Sequence, residues 1–528
     1  MKSPSQVPGH PDILRLLRPF PIDIQKIYPL SFSSAKGLTY GLVRTAEGKR
    51  MVVMGEKGPV LSDPFKGECH HRHPSSIKVC DLSADNTECL MALFPFTKPA
   101  PLRKHPVTVG TGDRLGVATP GHIRAIRKYP VRPVLAQQSV RENTQTGRNF
   151  AEVIRDAAWA VFQENYQEGY GADGDHLKSL KEVENALDAG VSMVTLDLSE
   201  KLNFDAFQDP KEGIDRKFKE EIDQEDAKVL FHLFLDKEFP FKTLHSRFSV
   251  QFDEESLKRN VLLFHQAIDF TEEVYNRIRR RSGTRTPIDF EISVDETPFP
   301  TSPENHLFFM IELRYRGIHI DSIAPRFIGE FQKGIDYRGD LGDFRDQFTK
   351  HVMIAQDFGN YKISIHSGSD KFSIFPVMGE IAGGGLHLKT AGTSWLEAMR
   401  LIARVNPSLY REMHRFALSV FKEASKLYHV STNLDRIPDA KTLQDQELPS
   451  FLEEEDSRQL LHITYGYLLN ATDEAGKSLF GDRFFQTMSK YEEDYWSLLE
   501  YHIGKHLEAL GVSRPPFRVR GDEEKTDA

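Results

Sequence analysis

Five stretches, far apart in the chain, each bring polar or ionisable side chains to the end of an apolar run. The first reads Gly171-Ala172-Asp173-Gly174-Asp175-His176-Leu177-Lys178. Glu291, Ser293, Asp295 and Glu296 follow, then Ala324-Pro325-Arg326-Phe327, His366-Ser367-Gly368-Ser369-Asp370-Lys371, and His387 with Lys389 and Thr390. Imidazoles and carboxylates converging from separate strands suit one divalent cation, zinc, manganese, nickel or iron, with a coordination position left open for substrate. The reading predicts His176, Glu291 and His366 as ligands, with Asp295 and His387 as alternatives. Its competitor makes His366 a hydrogen-bonded interior histidine and Glu291 the buried partner of Lys389. In the adjacent pair Asp175-His176, the histidine can bind metal while the aspartate faces substrate as acid/base, or the aspartate can merely orient the histidine.

Such groups must be positioned by elements that end together. Apolar runs bounded by Gly, Pro, Asn and Asp predict eight strands: Val107 to Leu115, Val134 to Val140, Gly169 to Leu177, Met193 to Leu198, Ile288 to Asp295, Ile320 to Phe327, Lys362 to Gly368 and Leu386 to Gly392. Most are followed by a helical pattern, which predicts an α/β chain folded as a TIM-type (β/α)8 barrel with its site at the carboxyl ends of the strands. Along a strand Glu291, Ser293 and Asp295 share one face. Helix signals include Thr144 to Glu164, the capping box Ser179-x-x-Glu182, and Ser302-Pro303 opening a helix that closes at Gly317. We expect a β-rich amino-terminal region over 1–104, with strands such as Leu38 to Val43, Arg50 to Met54 and Cys89 to Phe96. The barrel would span 105–400 with a charged insertion near 203–285, and a helical extension 401–528 would end in a frayed tail from Arg514.

Composition narrows the function. Lys and Arg number 68 against 77 Asp and Glu, a formal charge of −9 that disfavours nucleic acid and anionic membrane surfaces as partners. Three cysteines are too few for a disulfide framework, and no run approaches the length of a membrane span. With no apolar leader before Pro21, the expectation is a cytoplasmic protein. Gly110-x-Gly112-x-x-x-Gly116 departs from dinucleotide spacing and reads as a tight turn, so no nucleotide cofactor is expected. Cys69-His70-His71-Arg72-His73 lacks a second ligand pair at finger spacing, and Arg277 to Arg285 reads as a solvated helix end.

Taken together, Gly112-Asp113-Arg114-Leu115-Gly116, the Gly171 to Lys178 segment, Ser293-Val294-Asp295-Glu296-Thr297, Ala324 to Phe327, His366 to Phe372 and Lys389-Thr390-Ala391-Gly392-Thr393-Ser394 resemble the tagaturonate/fructuronate epimerase family. The likeness runs from about Val107 to Ser394 and implies metal-dependent C4 epimerisation of a small-molecule keto-hexuronate on a TIM-type barrel. The Asp175-His176 pair also looks like that of class II aldolases, in which the aspartate is catalytic and the histidine holds zinc. A substrate with a carboxylate leads us to expect Arg326 and Lys371 to grip it. Gln138, Lys178, Ser369, Asp370 and Lys389 are further expected contacts, and Asp175 acts with Asp295 or Glu296 on opposite faces. In a 2-keto sugar acid the C4 proton is β to the carbonyl, so direct deprotonation gains no enolate stabilisation. Retro-aldol cleavage of C3–C4 and re-addition avoids that difficulty. A metal-dependent sugar-acid aldolase or isomerase, and a non-catalytic sugar-acid binding protein, stay open as alternatives.

Overall fold

The eight expected strands close into one parallel barrel. The computed structural model describes residues 10–244, 246–282 and 287–513. Within it β1 is Val107–Gly110, β2 Arg132–Ser139, β3 Gly171–Leu177 and β4 Met193–Asp197. The ring continues with β5 Asp289–Val294, β6 Ser322–Pro325, β7 Lys362–Ile365 and β8 Leu386–Lys389, and closes through the pairings β8 with β1 and β4 with β5. Every residue of β5, β6, β7 and β8 is buried, as a barrel wall covered by helices requires.

Local chemistry sets where the helices begin. Ser179 and Glu182 cap each other reciprocally at the start of Leu180–Ala189, which Gly190 ends in the left-handed conformation (φ +89°). Ser302 and Pro303 start Pro303–Tyr315 as expected. The expected helix Thr144 to Glu164 is instead two, Val140–Thr146 and Phe150–Gln163. Gly147 at φ +64° ends the first, and an Asn149/Glu152 capping box opens the second. A second correction falls on Cys89 to Phe96, whose first half belongs to the helix Ala84–Leu93; Ser83 caps it, and Asn86, Thr87 and Leu90 are buried at helical rather than alternating spacing.

The amino-terminal region is a five-stranded antiparallel sheet between Lys26 and Cys80. It shares one apolar core with the carboxy-terminal helices: Tyr40, Leu42 and Met51 pack in the cluster that holds Trp395, Tyr465 and Trp496. The insertion carries a hairpin, Glu238–Lys242 with Arg247–Gln251, and the long helix Glu254–Ser282. The basic end of that helix does more than meet solvent, because Arg277 lies 3.5 Å from Glu184 and Arg281 pairs with Asp188 on the barrel helix Leu180–Ala189. Gly112 and Gly116 have positive φ in a tight turn, and the Cys69 to Arg72 run is a strand of the amino-terminal sheet. Among the described residues no helix is long and apolar enough to cross a membrane. Arg285 and the tail Arg514 to Ala528 lie outside the described residues.

Candidate active site

At the carboxyl end of the barrel β3 delivers His176, the residue after β5 is Asp295, and β7 runs into His366. One ligand atom from each of these three lies within 4.8 Å of the others. His366 Nδ1 is 3.2 Å from His176 Nε2 and 3.0 Å from Asp295 Oδ1. The opposite ring nitrogens are tied to carboxylates, His176 Nδ1 to Asp175 Oδ1 at 2.8 Å and His366 Nε2 to Glu291 Oε1 at 2.8 Å. A carboxylate behind each imidazole fixes the ring and directs its free nitrogen forward. Two backbones around the cluster hold left-handed conformations that L-residues seldom adopt, His176 at φ +54° and Ser367 at φ +50°.

Beneath the histidines the barrel interior is ionic rather than apolar. The Lys389 ammonium donates to Asp175 Oδ1 at 2.6 Å, Thr195 Oγ1 at 2.8 Å and Asp173 Oδ2 at 3.0 Å, and pairs with Glu291 Oε1 at 2.9 Å. Buried charge of this kind persists only when it is paired this completely. Burial, with Asp175 and Glu291 nearby, pushes Asp173 up to about 6 in spite of Lys389. For Asp175 burial acts the same way, yet Lys389 and His176 win and hold its carboxyl well below the usual range. Burial opposes the His176 imidazolium, but Asp175 and Asp295 overcome it and raise its pKa.

A cleft of about 350 Å³ opens above, with Arg141, Asp295, Glu296, Arg326, Lys333 and His366 among its walls. A narrower recess of about 60 Å³ continues past His176, Asp175 and Lys389 to Gln137, Ser369 and His462. The outer cleft falls within the size range of small-ligand sites, and its polar groups converge on the histidine cluster.

A model of the tagaturonate epimerase family, UxaE, matches residues 28–510 of the chain. The chain belongs to this family. It is 40% identical over 488 residues to the tagaturonate/fructuronate epimerase of Thermotoga maritima, spanning 92% of this chain and 97% of that protein. A glycerol-complexed crystal structure of the fructuronate-tagaturonate epimerase UxaE from Cohnella laeviribosi matches with a TM-score of 0.88 and 45% identity, covering 95% of this chain and 99% of that one. The native crystal structure of the same protein matches with the same values. The match begins within the amino-terminal sheet, well before Val107, where the motif likeness starts.

The epimerase sorts the expected site residues into three groups. His176, His366 and Asp295 meet at the cleft, with Glu296 beside them. Glu291 lies one layer deeper, with Oε2 accepting from Ser322 at 2.5 Å and Oε1 from His366 and Lys389, so it backs the cluster instead of joining it. The alternative His387 is deeper still, bonded to Thr108 and pushed down to about 3 by burial. Asp175 has both oxygens committed, Oδ1 to His176 and Lys389 and Oδ2 to Gln137 at 2.9 Å. Ser369 lines the recess. Lys178 sits off the cleft between Asp197 and Glu200, each 3.5 Å away, and 3.7 Å from Glu296.

Three expected substrate contacts point elsewhere. Gln138 is buried and accepts from Arg148 at 2.9 Å, while its neighbour Gln137 faces the recess; strand alternation turned the expectation onto the wrong face. Lys371 is fully buried with its ammonium on the carbonyls of Gln332, Ile335 and Ser369 at 2.9, 2.6 and 3.1 Å, and burial lowers it to about 7. Asp370 turns to the carboxy-terminal helices, 2.6 Å from both Arg458 and His502. Arg141, two residues past the end of β2, is a site residue the strand-end rule could have found. Lys333, Tyr428 and His462 carried no such signal, because they arrive from the long loop after β6 and from the carboxy-terminal helical region.

Proposed function

We propose that this epimerase interconverts D-tagaturonate and D-fructuronate by inverting C4, with one divalent cation held by His176 Nε2, Asp295 Oδ1 and His366 Nδ1. The observation that carries the reading is the pair of imidazoles whose forward nitrogens lie 3.2 Å apart while each rear nitrogen is locked on a buried carboxylate. Two nitrogens and a carboxylate oxygen form a donor set that fits zinc, manganese, nickel or iron. A cation bound there supplies Lewis-acid charge for oxygens that become anionic during the reaction. Asp175 and Glu291 orient the ligands, and Lys389 keeps both carboxylates ionised at the base of the site.

Glu296 faces the cleft beside the ligands, with its cations Arg141 and Lys178 at 3.4 and 3.7 Å, and is the carboxylate assigned to proton transfer. Burial opposes its ionisation, but the positive charge at His176 and Arg141 outweighs it and holds its pKa below the usual range, so it is ionised at neutral pH and available to take a proton. A cation held by His176 would supply that charge in place of the imidazolium. It takes the proton of the C4 hydroxyl as C3–C4 breaks, leaving a C4 aldehyde and an enediolate across C2 and C3. The aldehyde turns over within the cleft, the enediolate adds to its other face, and Glu296 returns the proton to the C4 oxygen. The test is to incubate metal-loaded enzyme with tagaturonate deuterated at C4 and to separate the products. Fructuronate should appear with the label retained and no large primary isotope effect. Washout of deuterium into water would sink the retro-aldol route, and a large isotope effect with retention would point to hydride transfer.

A further inference from the structure

Three long cationic side chains line the outer cleft, Arg141, Arg326 and Lys333, and two of them, Arg141 and Lys333, line the inner recess as well. Lys333 Nζ donates to Ser367 Oγ at 2.6 Å and has no carboxylate within ion-pair reach among the described residues. Arg141 reaches Glu296 only at 3.4 Å, rests its guanidinium 5.1 Å above the Tyr428 ring, and leaves Nε without a hydrogen-bond partner. The two also feel each other, since burial and then the Arg141 charge lower the pKa of Lys333. Both line the outer cleft and the inner recess, where Asp295, Glu296 and His366 also lie. Neighbouring, under-paired cations of this kind are stabilised by an anion placed between them.

The other candidate cations are already engaged. Lys371 is used up on three backbone carbonyls, and Lys389 is enclosed by three carboxylates. Arg326 donates to the Thr297 carbonyl and lines the outer cleft but not the recess. In a keto-hexuronate the C6 carboxylate is only two carbons from C4, so its receptor must adjoin the groups that act at C4. Lys333, bonded to the residue after His366, and Arg141, paired with Glu296, meet that requirement.

We infer that Arg141 and Lys333 together bind the C6 carboxylate and so select uronates over neutral ketoses, an inference that rests on the epimerisation proposed above. The test compares kcat/KM for tagaturonate and for D-tagatose, which has no charge at C6, in wild type and four variants. Lys333→Met should lose roughly tenfold to a hundredfold on tagaturonate, the scale of a hydrogen bond to a charged group, chiefly through KM, with little change on tagatose. Lys333→Arg, which keeps the charge, should keep the preference, and Arg141→Lys should erode it. Equal losses on both sugars in Lys333→Met would overturn the inference. So would a charge-selective loss confined to Arg326→Lys. If wild type leaves tagaturonate unchanged, the reaction assignment fails separately, and calorimetric binding of glycerate against glycerol still decides the subsite. Glycerate affinity that is the same in wild type and Lys333→Met would then overturn it.

Discussion

Two clusters in this molecule have the same composition, one aspartate and two histidines with ligand atoms within 4.8 Å, yet they do opposite things. At the barrel mouth His176 and His366 spend their rear nitrogens on Asp175 and Glu291 and turn the other two toward each other and Asp295. Where the barrel meets the carboxy-terminal helices, every strong valence is used within the protein. His506 donates to the His502 carbonyl at 2.9 Å and accepts from the Asp370 amide at 3.0 Å, and burial with the neighbouring His502 charge lowers it to about 4. Asp370 takes His502 on one oxygen and Arg458 on the other, both at 2.6 Å. Residue type therefore says little about chemistry. Asp370 and His502 also line a cleft, so what separates a reactive cluster from a clamp is whether its ligand atoms are left unspent on protein partners.

The contrast is broken most severely by removing a ligand. His366→Ala should lose metal affinity by about two orders of magnitude or more, and turnover with it, read by elemental analysis after dialysis against chelator and by product formation. A fully loaded, active variant would place the site elsewhere. Asp370→Ala should act on stability instead, by about 3–5 kcal/mol in denaturant titrations, because it strands the buried Arg458 and His502 while leaving metal content intact.

Asp175→Asn sharpens the distinction between an orienting group and a base. The geometry predicts metal affinity falling roughly tenfold to a hundredfold, with turnover recovering in excess metal. Full occupancy with no turnover would return Asp175 to the role of acid/base. The smallest effect is on pH. Burial disfavours the His502 imidazolium, but Asp370 and Glu397 prevail and raise its pKa above the ordinary histidine value. A raised histidine stabilises the fold fully below its unfolded pKa of about 6.5 and loses that contribution as pH climbs through the folded value. Wild type should therefore lose stability over that interval relative to His502→Gln, whose curve should lack that component.

Much of the fold was legible because its signals are local. Eight apolar runs, the caps at Ser179 and Ser302, and glycine terminators report the backbone's own preferences, and all of them survive in the barrel. The failures were local too: Gly147 divided one expected helix, and Ser83 with helical burial overrode a β-like composition near Cys89. At the site the strand-end rule brought His176, Asp295, Glu296 and His366 to one place, since parallel strands end on a common face.

The sequence by itself determined the barrel, its carboxyl-end site and the residue types available there, because periodicity and turn chemistry act over a few residues. Only the tertiary structure decided which side chain took which role. It set Glu291 behind His366, buried Lys371 on carbonyls and turned Asp370 toward Arg458 and His502, while bringing Lys333 and Tyr428 to the cleft. Those assignments depend on which polar groups lie across the barrel or on a distant helix, and on which bonds are already made. Contacts between residues as far apart as 39 to 132 positions leave no periodic trace in the chain.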